Sequence, residues 1–470
     1  MTSALAAPPK SAPEPQTSRG PRLTNSMLLA AAGSVLLAAP LVFGAVEPWS
    51  IFALEACAVL LLVAWTFRQC LNEQLDVINN VLYLPMAAFF ALALLQWIGT
   101  TAYRYVTYRH LLLYAAYGMF AFVTTQTLRR SSQFEWVGKI VTAYGALLAA
   151  FAILQGIAPN GKLYWIWPLE QGGEIYGPYV NHNHYAGLME MLTPFPLVLA
   201  ATRFTDGNRK LVVMAIAALM AGSIFLSGSR GGMLAVVVQV IALAFLLVRS
   251  RNSNWRQSLV LGGFLLLIVA SMVWLGGNEL SHRLASIHTE TRTEITGGMR
   301  ISIDRDCLRM FLKRPVFGWG LGTFATVYPG FRSFYSTFFV NQAHNDYLQL
   351  LVETGLLGFG IGIWFLVLVF RQAARKLKDW TETSTGALTV AALLGCIGIL
   401  VHSLLDFNLQ IPANAAIFYV LCAIAASSPL HESQRRRVFR RRRLIMEPNL
   451  PNPSTPTPST SSTQNTSLSS

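Results

Sequence analysis

Charge is what this chain has least of: 12% of its 470 residues are Asp, Glu, Lys or Arg, against about 25% in an ordinary soluble domain. Half of the usual polar coat is missing, which excludes a freely water-soluble globule. Acidic residues are the scarcer sign, 22 against 36 basic, leaving a net charge of +14. Cysteine is sparse as well. Cys57, Cys70, Cys307, Cys396 and Cys422 stand apart, with no Cys-x-x-Cys or other ligand spacing, so no disulfide framework is implied and the five read as small apolar filler. No small-residue cleavage site follows the first apolar block, so the N-terminus reads as a tail before an uncleaved span. No internal repeat suggests two equivalent halves.

What is present is apolar residue in blocks. Hydrophobic residues make up 53% of the chain and mean hydropathy is +0.45. The blocks fall at 26–43, 50–67, 79–98, 110–128, 135–157, 184–202, 211–226, 231–248, 258–275, 347–370, 387–405 and 411–427. Each is near the roughly 20 residues a helix needs to cross the hydrocarbon layer. About a dozen transmembrane helices are therefore expected over 26–427, between a disordered tail at 1–25 and a basic, then Ser/Thr/Pro-rich, tail at 428–470.

Basic residues give the orientation. With the N-tail inside, 23 of the 36 Lys/Arg lie on the cytoplasmic side, and most of the remainder fall in one long loop where the bias rule loses force. Both termini are then cytoplasmic. The seven arginines from Arg435 to Arg443 follow the last apolar block directly and read as a membrane anchor, so no nucleic-acid partner is expected.

Two outward loops stand out. The first, 158–183, carries Tyr164, Trp165, Trp167, Tyr176 and Tyr179, suited to an interfacial belt or a platform for sugar rings. The second, 276–345, is too long for a connector. Within it 299–313 reads as an amphipathic helix at the membrane surface, with Ile301, Ile303, Leu308, Phe311 and Leu312 against Arg300, Arg305, Arg309 and Lys313.

Polar and glycine residues gather in three outward clusters: GPYVNHNHYAG at 177–187, SGSRGG at 227–232, and GWGLGTF at 318–324 followed by AHNDYLQLLVETGLLG at 343–358. In this order they resemble the O-antigen ligase/polymerase family, which includes lipid A-core ligases, O-antigen polymerases and protein O-oligosaccharyltransferases of bacterial envelopes. The resemblance is close over 176–370, and HSLLDFN at 402–408 is similar to a late-span pattern of many members. It implies an all-α polytopic, GT-C-like glycosyltransferase of the bacterial inner membrane that needs no metal or other cofactor. Its donor would be a glycan on undecaprenyl diphosphate. Its acceptor would be a growing glycan, lipid A-core or a protein, reached on the periplasmic side.

The residues agree with such chemistry. A diphosphate leaving group calls for positive charge and hydrogen-bond donors. Arg230 stands in a glycine-flanked turn, and Arg300 matches the family's second arginine. Arginine suits phosphate oxygens bidentately. The acceptor hydroxyl must lose a proton, and His344 is the candidate general base, since a neutral imidazole accepts near pH 7. Asn181, His182, Asn183 and His184 are expected to bind acceptor or phosphate; two histidines are too few for a metal site. Asn345, Gln349 and Glu353 form one polar stripe at i+4 spacing, and with Asp406 they are expected to line the substrate cavity. Ionisable groups inside apolar spans are functional candidates by default, although Glu190 is better read as tying helices together. The Asp304-Arg305-Asp306 run imitates a nucleotide-sugar metal motif, but on a helix its carboxylates diverge. A transporter or lipid-linked-glycan flippase would also have about twelve spans; polar residues gathered at one face rather than at the midplane argue against it. A non-catalytic scaffold is the third reading.

Overall fold

In hydrocarbon only a helix or a closed barrel satisfies the backbone, and the apolar blocks of this chain fold as helices. A computed structural model describes residues 19–72, 77–169, 173–250, 297–335 and 339–427. In chain order the helices are α1 (Arg19–Ala38), α2 (Pro48–Leu71), α3 (Tyr83–Leu95), α4 (Arg104–Thr127), α5 (Ser131–Ile157), α6 (His182–Leu192), α7 (Pro194–Ala201), α8 (Gly207–Leu226), α9 (Arg230–Arg249), α10 (Gly297–Lys313), α11 (Asp346–Ala374), α12 (Ser384–His402) and α13 (Pro412–Ala426). Eight described segments are long and apolar enough to cross a membrane: α1, α2, α3 with its π-helical extension to Thr100, α5, α8, α9, α11 and α12.

The other four expected spans each differ. α4 has the length but carries Arg104, Arg109 and His110. The expected span 184–202 is two helices, α6 and α7, meeting at Thr193–Pro194, because proline has no N–H to give the ladder. α13 is apolar but only 15 residues long. The expected span 258–275 lies outside the described residues, as does the tail 428–470. α1 begins at Arg19, inside the stretch expected to be tail.

α12 is the most enclosed span, with 72% of its apolar window buried, and it packs against α5, α6, α7, α9 and α13. Peripheral helices turn apolar side chains outward: Phe52, Leu60 and Phe67 on α2, Leu147, Leu154 and Ile157 on α5. Lipid solvates such a surface and water does not.

The expected amphipathic helix is present as α10, with only part of its apolar set packed against protein. Ile303, Asp306, Cys307 and Met310 are enclosed, while Ile301, Leu308 and Leu312 are exposed. Phe324, Tyr328, Val340 and Ala343 cover the first set. These partners come from the following loop, so the helix's own sequence does not announce them.

Candidate active site

One glycine organises the site end of α11. Gly355 leaves helical geometry (φ 63°, ψ −168°), and a Cβ there would stand 2.3 Å from the Val316 carbonyl oxygen, so only glycine fits. The backbone groups freed by this break need new partners, and the 315–320 segment supplies them. Trp319 N–H donates to Val352 O (3.0 Å) and Gly320 N–H to Glu353 O (2.9 Å), while Leu356 N–H donates to Pro315 O (2.8 Å). Gln96, at the end of α3, donates to Phe317 O (2.6 Å) and Glu353 O (2.8 Å) and accepts from Leu321 N–H (3.2 Å).

The Glu353 carboxylate accepts from Gly322 N–H (2.8 Å) and Phe324 N–H (3.2 Å). Gln349 accepts from Ala343 N–H (2.9 Å) and donates to Gln342 and Glu353. The polar stripe is therefore present, and its bonds brace the glycine-rich loop. In Glu353→Ala, two loop N–H groups lose their acceptor at about 1–3 kcal/mol each when buried. The expected result is a lower melting midpoint in detergent with substrate KM unchanged in the folded fraction.

Above this brace sits His344. It has φ +54°, a conformation that costs a non-glycine residue about 1–3 kcal/mol and recurs at functional sites. The next residues hold it. Asn345 caps α11, its Oδ1 accepting from Tyr347 N–H (3.1 Å) and Leu348 N–H (3.2 Å). Asp346 accepts from Ser403 Oγ (2.8 Å), Leu409 N–H (3.0 Å) and Gln410 Nε2 (3.1 Å), bolting α11 to the turn between α12 and α13. That turn presents Asp406, whose Oδ1 lies 3.4 Å from His344 Nδ1. Burial pushes the Asp406 carboxyl up, but the His344 contact and the charges of His344, His184 and His402 outweigh it and hold it well below the usual carboxylate range. The Phe407 ring meets both His344 and His184 edge-on, at 4.8 Å between centroids in each case.

Arg300 reaches the same turn: its NH1 donates to Leu405 O (3.0 Å), and its buried Nε makes no hydrogen bond among the described residues. Burial raises the Asp304 carboxyl, opposed by the charges of Arg300 and His344, and two residues along a helix turn a side chain through about 200°. Asp306 points the other way, buried and accepting from Ser333 N–H (2.9 Å), Ser333 Oγ (3.1 Å) and Tyr328 OH (3.3 Å). The two carboxylates diverge as expected.

Arg230 is the first residue of α9 and is exposed, behind a Ser229 cap that accepts from Gly232 N–H (3.2 Å). Its neighbour Gly231 packs on the His402 ring, which joins it to the same end of the bundle. The α6 residues divide. Asn181 is used as the helix cap, accepting from Asn183 N–H (2.8 Å). His182 Nδ1 lies 2.7 Å from Glu174 Oε2. His184 is buried against Phe407, with Nε2 unbonded among the described residues. Asn183 is partly exposed.

His344, Arg300, Asp406 and His184 thus converge, Arg230 adjoins them through Gly231 and His402, and Asn181, Asn345, Gln349 and Glu353 hold backbone. Asp346, Gln96 and His402 were missed as site residues. Asp346 had a signal, an acid in the first turn of a helix beside the proposed base; Gln96, in a plain apolar span, had none.

Residues 215–365 match the family model described as O-antigen ligase. The match begins within α8 and ends within α11, so it contains Arg230, Arg300 and His344 but not Asp406. No curated protein matches the chain.

Proposed function

The O-antigen ligase domain at 215–365 makes this chain a member of the O-antigen ligase/polymerase family, and from that premise we propose that it transfers a glycan from undecaprenyl diphosphate to an acceptor hydroxyl. The family gives a glycosyltransferase-type enzyme of a bacterial membrane. The observation that carries the finer reading is the His344–Asp406 contact with Arg300 on the adjoining Leu405 carbonyl. His344 Nδ1 faces Asp406, so Nε2 is left to accept the hydroxyl proton. The acceptor oxygen bonds to the anomeric carbon, and the carbon–oxygen bond to the diphosphate breaks. The electron pair leaves on undecaprenyl diphosphate, where Arg300 and Arg230 meet the charge, and the proton rests on His344 beside the Asp406 carboxylate. Direct displacement inverts the anomeric carbon.

The distribution of basic residues supports an inner-membrane setting with both termini cytoplasmic and this end of the bundle periplasmic. The scheme uses no metal; in its support, the Asp306 carboxylate accepts from Ser333 and Tyr328 on one oxygen and from Arg309 on the other instead of facing Asp304. Transfer is accordingly expected to continue unchanged in excess EDTA, measured as glycan transferred per minute.

The test is to supply purified protein with lipid-linked glycan in detergent and measure release of undecaprenyl diphosphate. A flippase releases none, and that result overturns the reading. Surface glycans of a deletion strain then assign the acceptor: lost attachment means ligase, single repeat units mean polymerase, and unglycosylated periplasmic proteins mean protein O-oligosaccharyltransferase.

A further inference from the structure

Beneath the converging ends of α6, α9 and α12 lies an acid–imidazole pair that no step of the transfer uses. Glu190 on α6 and His402, the last residue of α12, are 0% and 1% exposed, with Oε2 3.1 Å from Nδ1. Burying two ionisable groups within membrane helices is costly even when they are paired, so the pair needs a reason beyond cohesion.

The surroundings of His402 supply one. A Cβ on Gly231 would stand 2.4 Å from the ring's Cδ2 and 2.5 Å from its Nε2, so the imidazole rests directly on the backbone at the start of α9. Arg230 is the adjoining residue. Deeper in the membrane, Gln239 of α9 donates to Glu190 O (2.6 Å) and Leu394 O (2.9 Å), fastening the same three helices a second time. On its main-chain side, His402 O accepts from Leu405 N–H (2.8 Å) and Asp406 N–H (3.1 Å). Those bonds shape the turn that presents Asp406 to His344 and the Leu405 carbonyl to Arg300. A single residue therefore touches both halves of the site, its ring the Arg230 helix and its carbonyl the His344 turn.

We propose that Glu190 and His402 are a positioning pair: the carboxylate fixes the imidazole, and the imidazole sets where α9 begins and hence where the Arg230 guanidinium stands relative to His344. This rests on the reading of Arg230 as the ligand of the departing diphosphate. The pair acts through Arg230 and touches no substrate.

The experiment measures kcat and KM for lipid-linked donor in Glu190→Ala, Glu190→Gln, Arg230→Ala and the double variant Glu190→Ala/Arg230→Ala, with amide exchange over 229–233. Misplacing a charge-stabilising group costs on the order of 10²-fold in rate. Glu190→Ala is expected to lose about that much kcat with KM held and with faster exchange at 229–233. Glu190→Gln, which keeps the volume and an oxygen to accept from Nδ1, regains much of the rate. In the double variant the Glu190 loss disappears, since residues acting through one group are not additive. Full additivity, or unchanged kcat with only a lowered melting point, overturns the proposal. Should Glu190→Ala not fold, Glu190→Gln against its Arg230→Ala double decides by the same rule. If the wild type releases no undecaprenyl diphosphate, it is the transfer reading that has failed. The exchange rates then decide alone: acceleration at 229–233 supports the pair's role, and no change ends it.

Discussion

His344→Asn is expected to lower kcat for glycan transfer by about 10²–10⁴-fold, the usual range for a lost general base, with KM for the lipid-linked donor little changed. Asparagine is the replacement of choice because His344 has φ +54°. Asparagine tolerates that region far better than most residues, so the backbone stays put and the lost rate belongs to the imidazole. Asp406→Asn is expected to fall nearly as far. The carboxylate can only accept, which keeps the proton on Nδ1 and the lone pair on Nε2; an amide facing Nδ1 at 3.4 Å permits either tautomer. The two substitutions together should cost about as much as the larger alone, as for residues that act as one unit. Asp406 also has a pH signature. Its folded pKa is depressed, so its contribution to stability is complete above the ordinary carboxylate pKa of about 4 and is lost as pH falls through the folded value. Melting midpoints in detergent should be flat from neutral pH to about 5 on this account and decline below, and Asp406→Asn should remove part of that decline. A His344→Asn enzyme with wild-type turnover takes the imidazole out of the chemistry.

Why His344 was legible and Gln96 was not is a matter of where each signal resides. A polar run such as AHNDY at the start of an apolar span is rare enough to be noticed, and its Asn345 cap serves the next residues, Tyr347 and Leu348, whereas Asp346 bonds the distant Ser403, Leu409 and Gln410. Spacing also showed that Asn345, Gln349 and Glu353 share a face. It could not show what covers the face, because the partners Gly322 and Phe324 lie some thirty residues upstream in a loop of their own. The same limit explains α10. Apolar residues occur all round that helix, and only the incoming Phe324, Tyr328 and Val340 decide that Ile303 and Met310 are enclosed while Ile301 and Leu312 are not. Gly355 carried no warning either. Single glycines are ordinary in membrane helices; what sets this one apart is the Val316 carbonyl oxygen, 2.3 Å from where a Cβ would stand. Long blocks, caps and clustered polar residues are local facts; the interlock of 315–324 with α11 is a contact between distant segments, and no periodicity encodes it.

The arginines give the second large effect, and α10 contains its own control. Arg300, Arg305 and Arg309 share that helix and are equivalent in charge, yet the structure treats them differently. Arg309 lies 3.3 Å from the enclosed Asp306, Arg305 is exposed, and Arg300 alone is held on the Leu405 carbonyl beside Asp406. A guanidinium has five N–H donors in a planar fork; with NH1 engaged at Leu405 and Nε buried, the terminal NH2 is the group proposed to meet phosphate oxygens. Removing such a donor at a site of developing charge costs about 10²–10³ in kcat, and that is the expected result for Arg300→Ala. Arg300→Lys should recover only part of it, because an ammonium restores the charge without the fork. Arg305→Ala should leave kcat and KM unaltered. If instead the losses at 300, 305 and 309 were equal and shrank together as salt was raised, the helix would be serving as a diffuse basic surface and Arg300 would have no particular place at the departing diphosphate.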